Sequence, residues 1–368
     1  MARPDVGEVE IELVNRVLRS DFLSMGEMTQ EFERALAEYV GAPHAVAVAS
    51  GTAGLHCLVR CFNLGPGDEV ITTSFSFVAS SNVLLYEGAR PVFADIEPAQ
   101  LCLDPDLVEE AITPRTRAIL AVDVFGHPCR LDRLKVIADR HGIPLIDDAC
   151  EALGAEMNGL KLGGPDQASA AVFAFFPNKQ ITTGEGGMVV TADSHIAAMC
   201  RSLRNQGRGE GDQWLLHERL GYNYRIDELS AALGVGQLRR IEELLEHRDQ
   251  VVDLYRQRLS RVPGVKTYPV APGMKMSWFV YVVRLDAAID RDRVARHLAS
   301  RGIPTRPYFQ PIHLQPFYRE RFGYRGGELP VTEAAGRSCL ALPFHTRLTS
   351  NEVDKVAAAL EEAITCSG

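Results

Sequence analysis

Apolar positions recur every three to four residues along 5–19 (DVGEVEIELVNRVLR), the spacing that turns one helical face toward a core. The same period runs through 27–40 (EMTQEFERALAEYV), and Gly41 supplies a stop. Beyond Gly41 the texture alternates. Short apolar runs read as buried strands: AVAVASG, EVITTSFSF, ARPVFADI, TRAILAVDVFG and IPLIDDA. Between them TAGLHCLVRCFNL, SSNVLLYEG, LVEEAI and LDRLKVIADRHG carry helical spacing. Strands alternating with helices predict an α/β domain with a mostly parallel sheet. After a glycine-rich turn, GMVVT predicts another strand and HIAAMCRSLRNQG another helix. Residues 207–224 are polar and irregular, a length that points to function or mobility rather than plain connection. One long helical region follows over 227–260. From residue 262 the pattern shifts: KMSWFVYVVRLD predicts a strand, and DRDRVARHLASRG and NEVDKVAAALEEAI predict helices. The expected organisation is a large α/β domain over 1–255 and a smaller C-terminal α+β domain over 256–368.

Composition narrows the function classes. The 368 residues suffice for two domains at roughly 100 to 200 residues each. The formal charge of −9 argues against nonspecific nucleic-acid binding. MARPDVGEVE lacks the apolar core of a secretory signal, and no apolar run approaches the ~18 residues of a membrane span, so a cytoplasmic protein is expected. Eight cysteines are scattered without a CxxC pair. Cys57 and Cys61 are four apart with no histidine pair to complete a zinc site, so free thiols and no metal are expected. Only six of the 39 basic residues are lysines, namely Lys135, Lys161, Lys179, Lys266, Lys275 and Lys355. A lysine in an apolar context therefore stands out.

Three strand ends could carry chemistry, because ligands in open α/β sheets collect outside the carboxyl ends of strands. In SGTAG a strand turns into a helix. Gly51 permits close backbone approach, Thr52 offers a hydroxyl, and the amides from Ala53 onward face an anion such as a phosphate. A helix start capped by a threonine reads equally well from these residues. LIDDA ends in Asp147 and Asp148, which point to opposite sides of a strand, so only one can enter a given pocket. In FAFFPNKQITTGEGG, Lys179 lies between an aromatic run and the glycine-rich turn. Partial burial there favours the neutral, nucleophilic amine, and a loop lysine snorkelling to solvent is the competing reading. A phosphate cradle, a strand-end aspartate and a secluded lysine are together what pyridoxal phosphate requires: an anchor, a partner for the ring nitrogen and a Schiff-base amine. The aromatic wall could come from FSF at 75–77. Among the other lysines only Lys161, in NGLKLGG, rivals Lys179.

These residues sit in a longer pattern. SGTAGLH, GDEVITTSFSFVASSN, DDACEALGA, FPNKQITTGEGGMVVT, LGYNYRIDELSAALG and YFQPIHLQPFY, in that order over nearly the whole chain, resemble the DegT/StrS sugar-nucleotide aminotransferases, which are fold-type-I pyridoxal-phosphate enzymes. The resemblance implies that Lys179 is the Schiff-base lysine and proton shuttle, and that Asp148 binds the pyridine nitrogen. It places Gly51, Thr52 and Ala53 at the phosphate, Phe77 against the ring, and Glu151 near the ring hydroxyl. Asn223 would reach the phosphate of a neighbouring subunit's cofactor, which implies a homodimer with shared sites. Arg225, Tyr308 and His313 are implied near the substrate. Two positions depart from the pattern: Ala174 stands where many relatives carry a phosphate-binding serine, and Phe176 where many carry histidine. The lysine that a related dehydratase branch replaces with histidine is present here.

The activity implied is transfer of an amino group from glutamate to a nucleotide-linked keto sugar, with pyridoxal 5'-phosphate as cofactor. Arg201, Arg204, Arg208 and Arg225 flank 207–224 and are candidates for the nucleotide's diphosphate. Two other readings stand beside this one: an aminotransferase for a free cyclitol or aminoglycoside precursor, and a non-catalytic protein that uses the cofactor as a sensor.

Overall fold

The computed structural model describes residues 3–209 and 216–365. Two helices open the chain, α1 (Glu8–Leu18) and α2 (Glu27–Val40). The strands and helices that follow are β1 (His44–Val48), α3 (Gly51–Cys61), β2 (Glu69–Thr73), α4 (Ala79–Tyr86), β3 (Arg90–Ala94), α5 (Pro105–Ala111), β4 (Thr116–Val122), α6 (Leu131–His141) and β5 (Leu145–Asp148). Two short strands, β6 (Glu156–Met157) and β7 (Leu160–Lys161), precede β8 (Ala170–Ala174), β9 (Gly187–Thr191) and α7 (Ser194–Arg204). Then come α8 (Glu228–Arg239), α9 (Ile241–Leu259), β10 (Val265–Lys266), β11 (Met274–Lys275), β12 (Tyr281–Leu285) and α10 (Arg291–Ser300). The chain closes with α11 (Pro316–Phe322), α12 (Pro330–Ser338), β13 (Cys339–Leu342) and α13 (Ser350–Thr365).

The central sheet has seven strands in the order β1-β9-β8-β5-β4-β2-β3. All neighbours are parallel except β9, which runs antiparallel to both β1 and β8. The mostly parallel α/β sheet expected from the alternation is thus present. Its strands are buried runs, as a sheet covered on both faces requires. A second sheet, β10-β12-β13, is antiparallel, and α10 and α13 pack together beside it. The 255/256 boundary read from the sequence lies within α9, which packs on α13.

Three segments differ from the sequence-based elements. The helical region 227–260 is two helices, broken at Arg240, whose backbone (φ −110°, ψ 9°) ends α8 and starts α9. Arg240 is held at that corner by Glu10 and Asp5, which fixes the change of direction. The strand expected over 275–286 is shorter. Residues 277–279 leave the ladder because Ser277 N–H donates to Gly126 O (3.0 Å) and the Ser277 carbonyl accepts from Gln180 Nε2 (2.8 Å). The strand expected over 69–77 stops at Thr73, whose hydroxyl accepts the Phe75 amide (2.9 Å), so Phe77 stands in the turn before α4. Of 207–224, residues 210–215 lie outside the described residues, as does Cys366. The remainder of that stretch carries only isolated bridges, Arg208 to His217 and Asn205 to Asn223.

Candidate active site

A cavity of about 490 Å³ opens where β4, β5 and β8 end, with Val122, Asp148 and Ala174 on its wall. The register places Val122 beside Asp148, so neighbouring parallel strands deliver their carboxyl ends to one place. Its size falls within the range of small-molecule sites.

The first turn of α3 forms one end. Ser50 caps the helix by accepting the Ala53 amide (3.1 Å), and Gly51 and Thr52 line the cavity. The amides that open a helix have no partner in its own ladder, and they favour an anion. Ala53 is buried and turns its N–H to Ser50, so it does not face the cavity. Gly51 is required here for space: a Cβ would lie 2.7 Å from Cys150 Sγ and 2.8 Å from Ala174 Cβ.

Asp148 enters the cavity from the end of β5 and is only 4% exposed. Its carboxylate accepts from Ser80 Oγ (2.6 Å) and from the Cys150 amide (3.2 Å). Asp147, one residue earlier, points to the other side and is fully buried. Neither of its oxygens has a donor among the described groups, and one oxygen of Asp123 is likewise unpaired. Burial raises both carboxyls, Asp147 to about 7, and the neighbouring Asp147 adds to the rise of Asp123. The structure thereby separates the two aspartates: one serves the cavity, the other the core.

Lys179 lies in a turn after β8, its amide donating to Phe176 O (2.9 Å). Its Nζ projects into the cavity, 3.5 Å from Glu151 Oε1 and 3.9 Å from the centroid of the Phe279 ring. Glu151 also accepts the Phe125 amide (2.9 Å), and burial raises its pKa against the pull of Lys179. Phe77 and Tyr308 complete the wall. The Phe77 ring is 62% exposed, so its outer face is open for a further group to cover.

The rival Lys161 is elsewhere, bound to Glu242 (3.0 Å) and Tyr39 (3.2 Å). His313 does not line the cavity. Its ring is fully buried, with Nδ1 at 2.7 Å from Ser74 Oγ and Nε2 at 3.2 Å from Glu333, so both nitrogens are engaged inside the fold. Asn223 and Arg225 also lie away from it. Arg225 donates to Asn205 Oδ1 (3.1 Å). Asn223 is exposed between Tyr222 and Tyr224, whose stacked rings (4.9 Å) face inward toward His56. Of the arginines proposed for a diphosphate, Arg204 is buried on Glu33 and Ala47 O, and Arg201 donates to Ala45 O (3.2 Å). Ser50, Ser80, Asn178, Glu185 and Phe279 line the cavity without having been marked by the sequence.

The donor set suits pyridoxal phosphate. A helix start that only glycine fits can take the phosphate, a buried and oriented carboxylate can take a protonated ring nitrogen, and a primary amine projects into the same cavity. Residues 4–361 match the DegT/DnrJ/EryC1/StrS aminotransferase family. The chain belongs to that family. Among its relatives, GDP-perosamine synthase of Caulobacter vibrioides is 40% identical over 344 residues, covering 93% of this chain and 91% of that one. DesV of S. venezuelae, solved in complex with a ketimine intermediate, superposes with a TM-score of 0.90 at 36% identity, covering 96% of this chain and 93% of that one. A putative sugar aminotransferase, Spr1654 of Streptococcus pneumoniae, solved in a PLP form, gives 0.94 at 28% identity, covering 100% and 98%. As a DegT/DnrJ/EryC1/StrS member this chain is a pyridoxal-phosphate-dependent aminotransferase with the fold of that group.

Proposed function

We propose that the enzyme moves an amino group from glutamate to a nucleotide-linked keto sugar, a keto-deoxyhexose, in polysaccharide or secondary-metabolite sugar biosynthesis. The observation that carries this reading is the single cavity shared by the α3 start, Asp148 and Lys179. The 40% identity to a GDP-perosamine synthase over nearly the full length supports a sugar as acceptor.

Bound pyridoxal phosphate would supply an electron sink for a substrate carbanion. The protein's part follows from its residues. Gly51 and Thr52, with the α3 amides, would anchor the phosphate. Asp148, fixed by Ser80 and the Cys150 amide, would hold the ring nitrogen protonated. Phe77 would cover one ring face, and Glu151 would serve the ring hydroxyl. Lys179 would provide the covalent amine and, when freed, the base that takes a proton from the donor's α-carbon. Placing that base in advance removes much of the entropic barrier. Ala174 brings no hydroxyl to the phosphate, and Ser50 and Thr52 are the hydroxyls that line that end. Tyr308 and Arg225 are read as substrate contacts, and Asn223 as a contact to the phosphate of a neighbouring subunit's cofactor.

We place the enzyme in the cytoplasm as a homodimer, with the division 1–255 and 256–368 as its two domains. Among the described residues no helix is long and apolar enough to cross a membrane. Phe22, Leu23, Met25, Leu216 and Leu220 are large apolar side chains left exposed on the single chain, as a partner surface would require.

The test is spectral. Glutamate should bleach the visible band of the holoenzyme, and a keto sugar from a nucleotide-linked panel should restore it. Borohydride trapping and peptide mapping should label Lys179. A label on Lys161, or none, would overturn the assignment. Recovery with a free cyclitol ketone alone would move the acceptor to that class.

A further inference from the structure

Arg248, in the middle of α9, is a buried cation with an unusual set of partners: it is 7% exposed, and no carboxylate pairs with it among the described residues. Buried arginines ordinarily sit against an acid. Here the guanidinium donates only to backbone carbonyls. Nη2 reaches Lys179 O at 2.7 Å, and Nη1 reaches Trp278 O at 3.1 Å and Phe279 O at 3.3 Å. Nε has no partner, and the group lies 5.5 Å from the Phe344 ring centroid. Burial pulls its pKa down to about 10, still protonated at neutral pH.

These carbonyls belong to the two segments that bracket the Lys179 side chain. One is the lysine's own backbone. The other carries Phe279, the ring over which Nζ rests at 3.9 Å. Gln180 ties the same segments a second time, through Ser277 O (2.8 Å) and Glu151 O (2.5 Å). The guanidinium and Gln180 together set the distance between the root of the amine and the aromatic shelf beneath it.

Resting on the assignment of Lys179 as the cofactor-bearing lysine, we propose that Arg248 is a positioning residue for that amine. It clamps the backbones of Lys179 and Phe279 through three carbonyls, and so fixes where the amine stands against its aromatic shelf.

The experiment measures kcat and KM of the holoenzyme, with cofactor content read from its visible absorbance, in wild type, Arg248→Met and Arg248→Lys. Arg248→Met removes all three hydrogen bonds, and Arg248→Lys cannot fork to three carbonyls. In both, kcat should fall about tenfold with little change in KM, as a misplaced base requires. A folded, cofactor-loaded Arg248→Met protein with wild-type kcat would reduce Arg248 to a structural strut and overturn the proposal. If Arg248→Met does not fold, Arg248→Lys decides, and an unchanged kcat sinks the positioning role. Borohydride mapping of the wild type separates the two layers: a label away from Lys179 refutes the assignment beneath the proposal, whatever Arg248 does.

Discussion

Ser80 illustrates how much of this site depends on contacts that no local pattern announces. Its hydroxyl donates to Asp148 at 2.6 Å from the first turn of α4. Hydrogen bonds to ionised groups contribute about 1.5 to 3 kcal/mol, so Ser80→Ala should weaken cofactor retention about tenfold or more, measured by equilibrium dialysis. Unchanged retention would mean that the Cys150 amide alone orients the carboxylate. Asp148 and Lys179 could be picked from the sequence because each is a charged residue at the end of an apolar run, where burial needs a reason. Strand alternation showed that only one of Asp147 and Asp148 could face a ligand. Which one it was came from the resemblance, and the structure then placed Asp148 in the cavity and Asp147 behind it. Ser80 carries no comparable signal, since a serine in a short helix is unremarkable until the helix after β2 is known to reach the end of β5, across β4. His313 is the opposite case: the resemblance put it near the substrate, and in the structure Ser74 and Glu333 engage both its ring nitrogens away from the cavity.

At the level of elements, hydrophobic period located the long helices and the buried strands well. It failed where tertiary contacts override local preference. Arg240 breaks 227–260 because Glu10 and Asp5 hold it, and those residues are more than two hundred positions away. The short α11 and α12, each opened by a proline, and β13 were not anticipated, because runs this brief give the period too few repeats. Helix α2 begins at Gly26, which has no side chain to cap it. Glu228, 2% exposed on α8, supplies the cap instead, accepting the Met28 (2.8 Å) and Thr29 (3.0 Å) amides and the Thr29 hydroxyl. Gly26 lies so close that a Cβ there would be 2.7 Å from Glu228 Oε2. Glu228→Ala strands these donors and should cost about 2 to 3 kcal/mol in denaturant unfolding. A loss below 0.5 kcal/mol, roughly the scatter of surface substitutions, would show that water replaces the cap.

For the molecule as a whole, the Asp123–Asp147 pair makes a pH-dependent contribution with a definite sign. The native state keeps a proton on this pair that the unfolded chain, with carboxyls near the usual ~3.9, has released. Its stabilising share is therefore complete below about pH 4 and is lost as pH rises toward about 7. Asp147→Asn should flatten the decline in unfolding free energy between pH 5 and pH 8, and an unaltered slope would argue that the pair is not protonated in the folded protein. The shared-site dimer has its own test. Chains carrying Lys179→Ala and Asn223→Ala, each impaired alone, should regain up to half of wild-type activity when mixed as heterodimers, since one site then combines an intact Lys179 with the partner subunit's Asn223. Absence of any recovery would count against exchange of Asn223 between subunits. Helix α9 has a further bearing on engineering. It starts at the Arg240 corner, passes beneath Lys179 at Arg248, and near its end Tyr255 donates its hydroxyl to the Pro343 carbonyl (2.7 Å). Cutting the gene at residue 255 would sever a rod that grips both halves. A chimera built to borrow another enzyme's acceptor preference must carry Tyr255 and the Pro343 loop as a matched set, or it will slacken the seat of Lys179 along with the graft.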